Sequence, residues 1–102
     1  MKGYKGMELL PKSIAETLPP LYSQENVEDP LCRVKLFDIF SQWTWYIIEY
    51  DPDEELCFGF VHGFDDELGY FSLAELKSLG IRIERDLYFE PKPLSEVEKL
   101  YK

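Results

Sequence analysis

Residues 43–51 read WTWYIIEYD, and how this run folds decides the architecture of the chain. Trp, Ile and Tyr occupy both sets of alternating positions, which is the composition of a strand covered on each face. Trp43–Asp51 is therefore expected to be the central strand of a small sheet. After it, Asp51-Pro52-Asp53-Glu54 has β-turn chemistry, with proline preset for the second position, and Glu55–His62 is the returning strand. A four-residue loop at 51–54 implies a definite register. It places Tyr46 opposite Gly59, Ile48 opposite Cys57 and Thr44 opposite Val61 on one face. On the other face it pairs Trp43 with His62, Trp45 with Phe60, Ile47 with Phe58 and Glu49 with Leu56. The second face carries more apolar bulk and is expected to meet the main core. The Tyr46/Tyr50 face is too apolar to lie open, and Gly59 reads as a strand glycine roofed by the Tyr46 ring.

Upstream, Leu31–Phe37 alternates Cys32, Val34 and Leu36 against Arg33 and Lys35, the period of a half-buried strand. Pro11 opens a short helix whose apolar face is Ile14, Ala15 and Leu18, and Pro19-Pro20 stop it. The polar stretch LYSQENVEDP (21–30) is a loop and the expected mobile part of the molecule. Residues 1–6 read as an appendage and 7–102 as one domain, with Met7 as an alternative start. Downstream, Gly63–Glu67 is a loop and Gly69–Phe71 a short strand. Ser72 and Glu75 then form a capping box, with Phe71 and Leu76 at staple spacing and Leu73, Leu76 and Leu79 on one face. Gly80 ends that helix. Ile81–Phe89 returns to extended structure, and Ser95 with Glu98 marks a C-terminal helix carrying Val97, Leu100 and Tyr101. The fold class is α+β: a mainly antiparallel sheet of four to five strands with an N-terminal, an inserted and a C-terminal helix.

Charge narrows the function classes. Twenty Asp and Glu against eleven Lys and Arg give a formal net charge of −9, which opposes direct binding to nucleic-acid phosphates. Between Leu36 and Leu76 there is no Lys or Arg but there are ten acidic residues. Asp53, Glu54, Glu55, Asp65, Asp66 and Glu67 are the candidates for a surface that docks a basic protein partner. Two cysteines without a CxxC and a single histidine leave no Cys/His zinc site, so no metal and no cofactor is expected. No apolar run is long enough to span a membrane, and a cytoplasmic protein is expected.

No catalytic set is legible. The glycines are dispersed rather than gathered into a phosphate loop, and His62 has no serine on a nucleophile elbow near it. The polar residue that most needs explaining is Glu49, which shares a face with Trp45 and Ile47. A carboxylate there must be paired, and Arg85, within Ile83-Glu84-Arg85-Asp86, is the expected partner. That pair either locks the last strand against the central one or forms, with Trp45, Tyr46 and Asp86, the floor of a ligand pocket.

LPPLYS (18–23), WTWYIIEYD (43–51), FGFVHGF (58–64), ELGYFSLAEL (67–76) and IERDLYFEPKPLSE (83–96) together resemble the bacterial family called domain of unknown function 2958. The resemblance runs from about Met7 to Glu96. It implies one compact domain with an accessory role in plasmids, phages and other mobile elements, some of them neighbouring CRISPR loci, and it transfers no catalytic role to any residue. The expected function is a non-enzymatic accessory protein acting through a protein partner. The alternatives are an acidic mimic of nucleic-acid charge, and a ligand binder or enzyme built on Glu49 and Arg85.

Overall fold

The computed structural model describes residues 7–102, so the expected appendage at 1–6 lies outside the described residues. The elements run α1 (Lys12–Ala15), β1 (Leu31–Cys32), β2 (Val34–Asp38), β3 (Thr44–Asp51), β4 (Leu56–His62), β5 (Asp66–Ser72), α2 (Leu73–Lys77), a 3-10 turn at Gly80–Arg82, β6 (Ile83–Arg85), β7 (Lys92–Pro93) and α3 (Leu94–Lys99). Five strands form one antiparallel sheet in the order β5-β4-β3-β2-β6, and β1 pairs with β7 alone. The fold is α+β, and β3 is its middle strand. Seven of the eight β3 residues are buried.

The register differs from the one expected, and two local irregularities explain the difference. The four-residue loop is Pro52–Glu55 rather than 51–54, because Glu55 adopts φ 50 and Asp51 stays in the strand opposite Leu56. A β-bulge at Ile48 then takes one position of that displacement back, so Ile47 faces Gly59 and Tyr46 faces Phe60. A bulge lets two successive residues point the same way. Trp45, Ile47 and Tyr50 consequently share one core with Cys57, while Tyr46 and Ile48 share the other with Phe60. The first strand breaks at Arg33 for the same reason, its N–H donating to the Ile47 carbonyl at 2.8 Å. That break turns Cys32 away from Val34 and Leu36 and into the second core.

Each face has its own cover. Leu9, Leu10 and Leu18 from the N-terminal segment, with Leu73 and Leu76 of α2, close the Trp45/Ile47 face. Leu94 and Val97 of α3, with Phe89 and Tyr101, close the Tyr46 face. The Tyr46 hydroxyl shares a hydrogen bond with that of Tyr101 at 2.6 Å. Burial pushes both free thiols, Cys32 and Cys57, up to about 12, so neither is a thiolate at neutral pH.

The helix ends show what local sequence can and cannot specify. Ser72 caps α2 as expected, its hydroxyl accepting from the Glu75 N–H at 3.1 Å. Leu79, however, is 48% exposed, because α2 stops at Lys77 and the chain turns away before Leu79 reaches the core. The second capping box does not form. Ser95 lies inside α3, and its N–H and hydroxyl donate to Asp29 at 2.9 and 2.6 Å. The cap is thus supplied from the 21–30 loop, 66 residues away in sequence. Leu100 is exposed, while Val97 is fully buried.

The Ser95 hydroxyl, and then its N–H, hold the Asp29 carboxyl below its usual value of 3.8. A carboxylate with a depressed folded-state pKa adds stability above the unfolded value and loses it as pH falls through the folded one. Asp29→Asn is therefore expected to lower the thermal midpoint by a few degrees at pH 7. The gap to wild type should close as the pH drops below 3.8 in parallel melts of the two proteins.

Candidate functional site

Where β2 leaves β3 at Arg33, the far half of β3 is left with an unpaired edge. The segment after α1 takes that place: the Tyr50 N–H donates to the Pro19 carbonyl at 2.9 Å. The bulge at Ile48 puts Glu49 opposite Phe58, whose partner in β5 is Tyr70, and so on the same side as the second core. There the Glu49 carboxylate accepts from the N–H of Tyr22 at 2.9 Å and from that of Gln24 at 2.8 Å. Only 3% of Glu49 is exposed. Tyr22 has φ 71, a left-handed conformation costly for an aromatic residue. The bond from its N–H to Glu49 helps to hold it there.

The 21–30 loop, expected to be the mobile part, is therefore fastened at both ends. Glu49 grips its start, and its end is tied to α3 through Asp29 and through the Pro30 carbonyl, which accepts from the Leu94 N–H at 2.8 Å. Between the loop and the sheet lies an open groove of about 500 Å³. Ile48, Phe58 and Leu94 form its apolar floor with Glu49, while Tyr22 and Val27 on one side face Leu68 and Tyr70 on the other. These four wall residues are all exposed, and they stand beside β5, an edge strand of the sheet. A second depression, of about 450 Å³, lies around Lys35, Tyr46, Asp86 and Lys92. Its Lys35 and Asp86 already face one another at 3.6 Å, and its lining is more polar than that of the groove.

The expected pair of Glu49 and Arg85 does not form. Arg85 sits on β6, which pairs with β2 and not with the central strand, and faces Leu36 on the opposite side of the sheet from Glu49. Its guanidinium donates to the carbonyls of Glu8 and Leu9 at 2.7 and 2.9 Å, fastening the N-terminal segment. Among the described residues Glu49 has no ion pair. Trp45 and Tyr46 lie in different cores, so the five expected pocket residues are not gathered at one place.

The acidic candidates divide as well. Asp53, Glu54 and Glu55 sit at the β3–β4 turn, whereas Asp65, Asp66 and Glu67 sit at the β4–β5 turn, with Asp66 and Glu67 already inside β5. The seven residues of β4 separate the two groups, about 20 Å at a strand's rise. Glu55 is paired with Lys77, and Asp66 is bonded to His62, which stacks on Tyr101 with ring centroids 3.9 Å apart. Among the described residues no three acidic, His or Cys side chains converge as a metal site. No described helix is long and apolar enough to cross a membrane.

Sequence reasoning missed Tyr22, Gln24 and the β5 side chains Leu68 and Tyr70. Backbone donors such as the Tyr22 N–H carry no side-chain signature. The one legible sign was the polar–apolar alternation at Glu67-Leu68-Gly69-Tyr70. Searches of curated proteins and of solved structures give no match to the chain. A family model does match, over residues 9–100, and its description is a protein of unknown function, DUF2958. With nearly its whole length aligned to that model, the chain belongs to the DUF2958 family.

Proposed function

We propose that residues 7–102 act as one unit, a non-enzymatic cytoplasmic accessory protein of mobile elements that works by docking an extended segment of a protein partner. The observation that carries this reading is the groove above Glu49: exposed Tyr22, Val27, Leu68 and Tyr70 line it beside an edge strand. An added strand would pair with the free backbone groups of β5 and lay alternate side chains over Leu68 and Tyr70. Large exposed apolar side chains grouped around a concavity are what a docking surface needs. The acidic turns are a weaker basis for docking. They lie at opposite ends of β4 and offer no single face of carboxylates spaced like phosphates.

Photo-crosslinking from Leu68 in host cells, followed by purification of the captured protein, supplies the partner for titration. Tyr70→Asp is expected to weaken that complex by roughly 30-fold or more, the scale of an interface hot spot. Asp53→Asn/Glu54→Gln is expected to leave it unchanged. The reverse pattern would move the interface to the acidic turn and sink this reading.

A further inference from the structure

The groove has a chemical bias that apolar docking alone does not require. Among the described residues three carboxylates line it, Glu25, Glu28 and Glu49, and no Lys or Arg does. Glu49 is buried and, among the described residues, bonded only by neutral backbone N–H groups. Three aromatic rings stand around it. Tyr22 and Tyr70 have centroids 6.4 Å apart, and Phe58 and Tyr70 have centroids 5.0 Å apart, with both pairs tilted at 56°. Desolvation first, then the neighbouring Tyr22 hydroxyl, and last Glu49 and Glu25, push the Tyr70 phenol above its usual value.

We infer that the groove takes a cationic side chain, an arginine or lysine presented by the docked segment, with its stem on Ile48 and Leu94 and its charge among the rings of Tyr22, Phe58 and Tyr70. The inference rests on the proposed docking reading and names the chemistry of the partner at that site. Two features of the groove match such a ligand. Ring faces attract a cation placed within about 6 Å of their centroids. Carboxylates at the rim and floor add long-range attraction and reject acidic segments. A neutral apolar side chain would fill the same volume but would leave the charge of three glutamates unanswered.

The test is an amide-shift titration of the 102-residue chain with N-acetyl-arginine amide and N-acetyl-lysine amide, with N-acetyl-norleucine amide as the neutral counterpart. The cationic probes are expected to shift Tyr22, Gln24, Leu68 and Tyr70 and to bind roughly tenfold tighter than the neutral one. Glu25→Gln/Glu28→Gln changes two exposed side chains that hold no part of the fold. It should remove most of that preference without moving the thermal midpoint. Equal binding of the norleucine probe at these residues would overturn the cationic inference and leave apolar docking standing. Shifts that miss the groove for all three probes would overturn the cationic inference. The crosslinked partner would then decide the docking reading independently.

Discussion

Gly59→Ala is expected to destabilise the protein by about 3 kcal/mol, a loss of roughly 10–25 °C in thermal midpoint for a chain of this size. A Cβ at this position would collide with the Tyr46 carbonyl, and the next nearest atoms are also backbone, at Tyr46 and Ile47. These belong to β3, held by β2 on one side and β4 on the other, so no side-chain rotation can relieve the collision. The structure supplies a matched control one strand away. Gly69 is the register partner of Gly59 in β5, and a Cβ there has nothing within 4 Å. Gly69→Ala should be neutral or stabilising by up to about 1 kcal/mol through loss of unfolded-state freedom. Urea midpoints for the two variants provide the comparison, and equal effects would contradict the close approach described for Gly59.

Glu49→Ala is the second large change, expected to cost about 2–4 kcal/mol. It removes both acceptors of the Tyr22 and Gln24 N–H groups at once. The left-handed backbone of Tyr22 then loses the bond that offsets part of its cost. The start of the 21–30 loop should release, taking one wall of the groove with it. Glu49→Gln keeps the shape and one carbonyl oxygen but turns an amide NH2 toward the other donor, so its cost should fall at about half the alanine value. In both variants the Tyr22 and Gln24 amides should lose protection while those of β4 keep theirs. A variant that unfolds as a whole without this local release would argue against the loop clamp.

The elements that sequence specifies locally were legible. Residues 44–51 form the middle strand because both of their faces are apolar, and Ser72 starts α2 because a hydroxyl can bond an N–H three residues on. The register was not legible. It depended on a loop displaced by one residue through the left-handed Glu55 and on a bulge at Ile48, neither of which leaves a mark in residue type. That slip carried Glu49 across the sheet and away from Arg85. Ser95 shows the same limit in another form, since its helix is capped by Asp29 from a distant loop rather than by its own neighbours. Gly59 was correctly read as special but for the wrong neighbour. The Tyr46 backbone, not the ring, excludes a side chain there. The groove was hidden because one wall is fixed by backbone N–H groups, which every residue but proline possesses.

Glu49 organises the groove by holding the loop backbone, and not by pairing with Arg85. Amide hydrogen exchange at Tyr22 and Gln24, in wild type, Glu49→Gln and Arg85→Ala, tests this role most directly. The expected result is protected amides in wild type and Arg85→Ala, and exchange about tenfold or more faster in Glu49→Gln. Unprotected amides in wild type, or equal release by Arg85→Ala, would contradict it.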